Sequence, residues 1–260
     1  MNDLTDKRIG PWLALSHTPH LSLKRQHALL GLFGNIGALL TASDFQLESA
    51  GVAPLARKAL ADYRKQPESS AIGQQVAQSL HWMSQPDCNI ITLEDPDYPE
   101  RLKQLEVPPL LLYVKGASEL LRTPQLAIVG SRNASATGIE TARSFARQLA
   151  RCGIVVTSGL ALGVDGASHL GALEADQPTI AVMATGIDRI YPRRHEALAQ
   201  RIVENGALVT EFPLQSCPRP AHFPQRNRII SGLCVGVLGG EAALKSGSLI
   251  TARVAMEQGR

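Results

Sequence analysis

Cysteine is scarce in this sequence, and its spacing does not match a metal site or a disulfide framework. The 260 residues include four cysteines, which are widely scattered and never closely paired. Zinc sites and disulfide scaffolds have short, regular cysteine spacings, so we expect free thiols and no bound metal. The pattern excludes the class of small proteins that are held together by disulfides or metals.

Long apolar runs and a leader segment are also missing. No run approaches the length of a membrane span, and Met1-Asn-Asp-Leu-Thr-Asp6 has neither the basic nor the apolar region of a signal peptide. Hydrophobic residues make up 44% of the chain, which is typical of a globular protein. We therefore expect a cytoplasmic protein that has no membrane partner.

The usual nucleotide-binding fingerprints do not occur. Neither Gly-x-Gly-x-x-Gly nor Gly-x-x-x-x-Gly-Lys-Ser/Thr is present, so nothing indicates a dinucleotide cofactor or a nucleotide-hydrolysing motor, and we expect no cofactor. Aromatic residues make up only 4% of the chain, and the formal net charge is +3. A base-stacking surface made of many rings is not expected from so few aromatics. Any contact with a nucleic acid should depend mainly on phosphates.

Acidic residues are missing from residues 212–240, which is where basic side chains cluster. The segment Phe223-Pro-Gln-Arg-Asn-Arg-Ile-Ile-Ser-Gly232 places Arg226 and Arg228 two positions apart, and Arg219 precedes them. We predict a basic loop that opens onto a short helix and holds an anion. An ordinary solvated loop, with charges that cap a helix, is the alternative interpretation.

The periodicity of the apolar residues predicts two domains. Residues 12–82 show helical spacing with capping residues, whereas short apolar strands alternate with helices from Gln125 onward. That alternation predicts an α/β fold with a doubly wound, mostly parallel Rossmann-like sheet, preceded by a small all-helical domain. We assign residues 1–84 to the helical domain and residues 85–260 to the sheet domain.

Small polar residues and glycines follow the predicted strands. Ligands of such sheets bind beyond the carboxyl ends of the strands, where glycine lets a ligand approach the backbone and helix N-termini favour negative charge. Dispersed donors of this kind suit several phosphates along a backbone better than one pyrophosphate. The turns concerned are Gly130-Ser131-Arg132, Ser158-Gly159, Thr185-Gly186 and Gly239-Gly240, with Ser246-Gly247-Ser248 nearby.

Four titratable residues near the strand ends could act as an acid or a base. His169 falls within a predicted helix, and Asp165 begins that helix, where its charge suits the helix dipole. No nucleophile is evidently paired with a base, so we predict a protein without catalytic activity. The four residues are Asp165, His169, Glu211 and Glu241.

Five segments carry a resemblance to a known family. They are Ala127-Ile-Val-Gly-Ser-Arg132, Ser158-Gly-Leu-Ala-Leu-Gly-Val-Asp165, Gly186-Ile-Asp-Arg-Ile-Tyr-Pro192, Phe223-Pro-Gln-Arg-Asn-Arg-Ile-Ile-Ser-Gly232 and Ser246-Gly-Ser-Leu-Ile-Thr-Ala252. In this order they resemble the DprA/Smf family of DNA-processing proteins. The resemblance extends from about Ile90 to the end of the chain. The helical part is similar only loosely, as a sterile-alpha-motif-like domain.

This resemblance implies a function in natural transformation. Members of the family bind and protect incoming single-stranded DNA without sequence preference, help to load the RecA recombinase, and form homodimers through the Rossmann-like domain. The family continues beyond the position of Arg260, so we expect the C-terminal end of the sheet domain to be incomplete. The residues on the family's DNA-binding positions are Gly130, Ser131, Arg132, Ser158, Gly159, Arg226, Asn227, Arg228, Ser246, Gly247 and Ser248.

Two other interpretations stay open at this point. The turn that contains Gly239-Gly240-Glu241 distantly resembles that of the phosphoribohydrolases, which cleave nucleoside monophosphates, although its glutamate has a different offset. The third interpretation is an adaptor that contacts other proteins through its helical domain.

Overall fold

The structure is a computed structural model. It describes the backbone of residues 3–241 and 247–260, and the side chains of residues 8–241 and 251–260. Within these ranges, no helix combines the length and the apolar character that crossing a membrane requires.

The chain divides into two compact units. The N-terminal unit comprises residues 3–93 together with Pro109–Leu111, and the C-terminal unit comprises Glu94–Pro108 together with Leu112–Arg260. The assignment of separate domains that meet between residues 84 and 85 stays a prediction.

The N-terminal unit is mainly helical in its described residues. Its core contains leucines from several helices, and Leu13, Leu29 and Leu60 are each at most 1% exposed. A short strand follows the helices, and Leu93, just after it, donates its N–H to the carbonyl of Leu110 at 2.8 Å. The elements are α1 (Asp3–Ser16), α2 (Leu23–Phe33), α3 (Ile36–Thr41), α4 (Asp44–Ser49), α5 (Pro54–Lys65), α6 (Ala71–Met83) and β1 (Cys88–Thr92).

Capping residues determine where these helices begin. The Ser43 hydroxyl accepts the Gln46 N–H at 3.2 Å, and the Gln46 side chain accepts the Ser43 N–H at 2.8 Å, which forms a capping box. Helix α5 begins at Pro54, where the missing N–H costs nothing. Ser70 caps α6 by accepting the Gly73 N–H at 3.1 Å. These local contacts set the beginnings of α4, α5 and α6.

A twisted sheet is the centre of the C-terminal unit. Six strands run in the order β2-β6-β5-β4-β3-β7. Strand β2 is antiparallel to β6, and the other neighbouring pairs are parallel. The predicted doubly wound, mostly parallel α/β sheet is therefore confirmed. The strands are β2 (Leu111–Gly116), β3 (Gln125–Gly130), β4 (Val155–Ser158), β5 (Thr179–Val182), β6 (Ala207–Thr210) and β7 (Gly236–Gly240).

Helices connect these strands. One core cluster joins Ile128 of β3 and Val156 of β4 to small residues of two helices, such as Ala146 and Ala167. Alanine at these positions lets helices pack closely on a sheet that is buried on both faces. The helices are α7 (Glu100–Lys103), α8 (Ala136–Arg151), α9 (Val164–Leu173), α10 (Glu196–Asn205), α11 (His222–Leu233) and α12 (Gly247–Glu257).

The prediction of a basic loop at Phe223–Gly232 is wrong, because this segment lies within α11. Ile229, Ile230 and Leu233 are each 1% exposed, so the second half of the segment packs into the core as a helical face. Pro224 does not prevent this, because it falls in the first turn, where the backbone N–H has no partner inside a helix.

The strand order reverses at β3. From β3 the chain proceeds through β4, β5 and β6 to one side, and it then returns to place β7 on the other side of β3. At such a switch point the connections leave the sheet in opposite directions, so a crevice opens beyond the carboxyl ends of the strands. The fold therefore provides a binding position at the end of β3.

His17 is a buried titratable group in the N-terminal unit. Its side chain is 9% exposed, and its Nε2 atom lies 3.3 Å from the Ser79 hydroxyl. Burial lowers the pKa of His17 from 6.5 to about 4. Between pH 6.5 and about 4 the imidazole is therefore mostly neutral in the folded protein and mostly protonated in the unfolded chain.

We expect the N-terminal unit to lose stability as pH falls from about 6.5 to about 4, because the unfolded chain binds the His17 proton more tightly over that window. The loss should amount to about 2–3 kcal/mol, and urea unfolding at several pH values would measure it. His17→Gln should remove most of this dependence. His81→Gln, which changes an exposed histidine of α6, should leave it in place. A pH dependence that persists in His17→Gln would contradict the assignment.

Candidate functional site

A cavity of about 380 Å³ opens at the carboxyl end of β3. Its size is within the range of small-molecule and cofactor sites. The turn after β3, the beginning of α9 and the first half of α11 supply its walls. Five of the predicted DNA-binding residues line it, namely Gly130, Ser131, Arg132, Arg226 and Asn227.

Arg226 forms the floor of this cavity. It is 4% exposed, and its Nη1 atom donates a hydrogen bond to the Val182 carbonyl at the end of β5 at 2.7 Å. Its buried Nε atom has no hydrogen-bond partner among the described residues. Burial lowers the pKa of Arg226 to about 10, so the side chain is still charged at neutral pH. A buried cation with so few partners is costly, and a ligand that accepts hydrogen bonds would stabilise it.

Gly159 makes room for this guanidinium. A Cβ atom at position 159 would lie 1.7 Å from Nη1 of Arg226, which is far too close for two non-bonded atoms. Gly159 therefore belongs to the site because its lack of a side chain leaves space for the Arg226 guanidinium. Gly159 follows β4 at this edge, and its predicted DNA-binding role stays a prediction.

Asp165 is the acidic residue of the cavity. It is 6% exposed and accepts a hydrogen bond of 3.4 Å from the Ala161 N–H. Burial raises the pKa of Asp165, and the nearby Arg226 opposes that rise. The cavity is therefore lined by both a carboxyl group and a guanidinium group.

Arg132 and Phe223 line the cavity, and Tyr191 lies next to Phe223. The Arg132 guanidinium lies over the Phe223 ring, 4.7 Å from the ring centroid. Tyr191 is 46% exposed, and its ring centroid is 6.1 Å from that of Phe223 with the planes at 59°. Arginine stacked on an aromatic ring keeps its forked donors directed outward and presents a flat surface.

Backbone groups of the turn after β3 form hydrogen bonds within the protein. The Ser131 N–H donates to the Glu241 carbonyl at 3.2 Å, and the Ser131 carbonyl accepts the Val164 N–H at 3.1 Å. A Cβ atom at Gly130 would lie 2.1 Å from the Gly240 carbonyl oxygen, so only glycine fits between β3 and β7. The donors that remain for a ligand here are side chains, chiefly Arg132.

Ser158 does not reach the cavity. It is fully buried, and its hydroxyl donates to the Ile128 carbonyl at 2.6 Å. Ser158 thus ties β4 to β3 and supports the site from beneath.

Arg228 lies away from the cavity, although the sequence grouped it with Arg226. Its Nη1 atom donates to the Val107 carbonyl at 2.8 Å, and its Nη2 atom forms an ion pair with Glu211. Their side chains are 20% and 11% exposed. Residues two apart point to nearly opposite sides of a helix, so Arg226 and Arg228 cannot serve one anion. Arg228 fastens α11 to the rest of the unit.

The last three predicted binding residues precede or begin α12. Ser246 lies outside the described residues. Gly247 is the first residue of α12, and the side chain of Ser248 lies outside the described ranges. Their predicted DNA-binding role stays a prediction.

The residues proposed as acids or bases are dispersed, and only Asp165 lines the cavity. His169 is fully buried, and its Nδ1 atom lies 2.8 Å from the Thr179 hydroxyl. Glu211 is paired with Arg228. Glu241 accepts the Ser135 N–H at 2.9 Å and the Ser135 hydroxyl at 2.7 Å, so it caps α8.

The sequence interpretation missed the aromatic pair. Low aromatic content favoured a site made mainly of phosphate contacts, yet Phe223 lines the cavity and the Tyr191 ring lies next to it. A signal was present, because Tyr191 lies beyond the end of β5 and Phe223 begins the basic segment. Both positions belong to the carboxyl edge of the sheet.

The fold and the cavity define a doubly wound α/β protein with a cationic cavity at the carboxyl edge of its sheet. The sequence model of the family described as "DNA recombination-mediator protein A" matches residues 89–260. The chain belongs to this family, that of the DprA/Smf proteins.

Two curated relatives illustrate the similarity. Protein Smf of Escherichia coli (strain K12) is 48% identical over 186 residues, which cover 71% of this chain and 50% of that protein. The DNA processing protein DprA of Bacillus subtilis (strain 168) is 43% identical over 173 residues, which cover 66% of this chain and 58% of that protein. The chain thus spans about half the length of the curated relatives it matches.

Two solved structures are similar as well. DprA of Streptococcus pneumoniae superimposes with a TM-score of 0.80 at 30% identity, over 95% of this chain and 82% of that one. DNA processing protein A of Helicobacter pylori superimposes with a TM-score of 0.60 at 35% identity, over 66% of this chain and 78% of that one. The latter structure is described as showing a single-stranded DNA binding mode.

Gly159→Ala should lower the free energy of unfolding by about 1–3 kcal/mol, because the added methyl group forces Arg226 from its position on the Val182 carbonyl. Urea denaturation would measure the change. The matched control is Gly239→Ala, since no atom lies within 4 Å of a Cβ atom at Gly239, and its effect should stay within about 0.5 kcal/mol. Equal effects of the two substitutions would show that the close approach to Arg226 is not a constraint.

Arg228→Ala should cost about 3 kcal/mol of stability, because it leaves Glu211 buried without its partner. Arg132→Ala removes an exposed arginine and should cost less than about 1 kcal/mol. Thermal and urea unfolding of both variants would test this contrast. If Arg228→Ala is as stable as the parent protein, the ion pair with Glu211 does not hold α11 in place.

Proposed function

We propose that this protein binds single-stranded DNA at the carboxyl edge of its sheet, without catalysing a reaction on it. The observation that carries the proposal is the Arg132 guanidinium stacked on Phe223 at the mouth of a cavity whose floor is Arg226. An exposed arginine fork suits a phosphate, and an adjacent ring can stack a base that is not paired. Bases in a duplex are already stacked and paired, so this mouth favours a single strand.

The charge distribution supports the same function. Residues 212–240 include no acid, and Arg219 and Arg226 fall among them. Burial lowers the pKa of Arg226, and the nearby positive charge of Arg132 lowers it further. A chain of phosphates would relieve that repulsion, which makes binding favourable and dependent on salt.

The names of the relatives suggest the biological process to which this binding contributes. The H. pylori structure is described as giving insight into a single-stranded DNA binding mode, and the B. subtilis and S. pneumoniae relatives are named DNA processing proteins. We include in the proposal that the protein protects incoming single strands in natural transformation, helps to load RecA onto them, and acts as a homodimer. These finer parts rest on the similarity, because the chain spans about half of the curated relatives.

Fluorescence anisotropy of a labelled single strand and a matched duplex, across a salt series, tests the central claim. We expect tighter binding of the single strand and a decline in its affinity as salt increases. Equal and weak binding of both DNAs would refute single-stranded DNA binding by this chain.

Arg132→Ala should weaken single-strand binding by roughly tenfold at low salt and reduce the slope of log affinity against log salt by about 0.7, because one phosphate contact is lost. The control is Arg151→Ala, an exposed arginine at the far end of α8 from the cavity, which should change neither quantity. If Arg132→Ala keeps the parent affinity and slope, the phosphates do not pass this mouth.

A further inference from the structure

We propose that His195 is a positioning residue for Arg226. Its Nδ1–H group holds the carbonyl of Leu160, and the turn after β4 thereby keeps open the space that the Arg226 guanidinium occupies. Among the described residues, those that line the cavity do not include His195, so it acts through Arg226 and not on the strand. This inference rests on the proposed single-strand binding and gives a role to a histidine outside the cavity.

The first observation is a hydrogen bond between His195 and the backbone of Leu160. The His195 Nδ1 atom lies 2.9 Å from the Leu160 carbonyl oxygen. A carbonyl only accepts hydrogen bonds, so Nδ1 carries the proton in this contact, whether the imidazole is neutral or charged. The bond joins the short 3₁₀ turn Arg193–His195, which precedes α10, to the turn after β4.

The second observation is that Leu160 has a left-handed backbone conformation. Its φ is +58°, and the residue is fully buried. Residues with a Cβ atom are uncommon in this region, and such a conformation persists only where surrounding contacts enforce it. The next residue, Ala161, donates its N–H to Asp165 and accepts the Gly166 N–H at 3.1 Å. The carbonyl of Leu160 itself is held by His195.

The third observation connects this turn to Arg226. Gly159 immediately precedes Leu160, and its lack of a side chain leaves the space for the Arg226 guanidinium. The guanidinium donates to the Val182 carbonyl at 2.7 Å, while its Nε atom has no partner among the described residues. Because Arg226 has few direct partners, its orientation depends on the backbone that surrounds it. A shift of the turn at Gly159 therefore moves Arg226.

The His195 ring is itself fixed by packing on α9. A Cβ atom at Gly166 would lie 2.7 Å from His195 Cε1 and 3.0 Å from Nε2, so the ring lies directly against the backbone of that helix. The His195 N–H also donates to the Pro192 carbonyl at 2.9 Å. A ring held in this way has little freedom to leave the Leu160 carbonyl, which is what a positioning residue requires.

Asparagine and leucine at position 195 separate the hydrogen bond from the rest of the side chain. The amide nitrogen of asparagine is bonded to Cγ, as Nδ1 of histidine is, so His195→Asn can place a donor near the same point without the ring or its charge. His195→Leu keeps an apolar side chain and has no donor. If His195 acted through its charge on the phosphates, both variants would lose the same affinity.

The first measurement is the binding of labelled oligothymidylate to the whole chain by fluorescence anisotropy. We expect His195→Leu to bind about tenfold more weakly, and His195→Asn to stay within about twofold of the parent protein. In an Arg226→Ala background His195→Leu should cause no further loss, because its effect passes through Arg226. The control is Gln200→Leu, which introduces leucine at an exposed position of α10 and should leave the affinity unchanged.

The second measurement needs no DNA and uses NMR spectra of the arginine side chains. The buried Arg226 Nε–H signal, identified by its loss in Arg226→Lys, should exchange slowly with water in the parent protein and in His195→Asn. His195→Leu should raise that exchange rate roughly tenfold and leave the Arg228 Nε–H signal unchanged. A general loss of stability would instead affect both arginines.

The two measurements separate this inference from the function on which it rests. The positioning role is refuted if His195→Leu binds like the parent protein, if His195→Asn binds as weakly as His195→Leu, or if the losses add in the Arg226→Ala background. If the parent protein binds no single strand, the proposed function is refuted, and unchanged exchange of the Arg226 Nε–H in His195→Leu would refute the positioning role as well. His195→Ala, with the same expected losses, replaces His195→Leu if that variant does not fold.

Discussion

The position of the Arg226 guanidinium is the constraint on which the site depends. A cation that is 4% exposed must be held by groups that the fold brings to it, because water no longer solvates it. The Val182 carbonyl, the absence of a side chain at Gly159 and the nearby charge of Asp165 supply these conditions from three different elements. Each of them lies at the carboxyl edge of the sheet, so the site forms only when the sheet and its connections are correctly assembled.

Helix α11 joins the core to that edge. Phe223, Arg226 and Ile230 follow one another at helical spacing and line the cavity. Arg228 points elsewhere and binds Glu211 and Val107, while Ile229 and Leu233 are buried in the core. The helix thus keeps a charged side chain in the cavity because its other faces are firmly packed. Two arginines of one short motif perform different tasks for this geometric reason.

Much of the fold could be predicted from local patterns. The alternation of short apolar strands with helices predicted the doubly wound sheet. The helical spacing and capping residues of residues 12–82 predicted helices there, because capping depends on neighbouring residues only. The segment Phe223–Gly232 was predicted as a loop for the same reason. Its proline and charges dominate the local signal, whereas its helical state depends on the burial of Ile229 and Ile230 against the sheet.

The sequence predicted where the site lies better than it predicted which residues form it. The sequence by itself determined that Gly130, Arg132 and Gly159 lie at one edge, because the carboxyl ends of neighbouring parallel strands lie at the same edge of a sheet. Only the tertiary structure decided which of them face the cavity. Burial, helix phase and contacts between distant residues separate Arg226 from Arg228, commit Ser158 to the Ile128 carbonyl, and bring Asp165 beside Arg226. Such choices depend on the three-dimensional arrangement of remote segments, which no local pattern encodes.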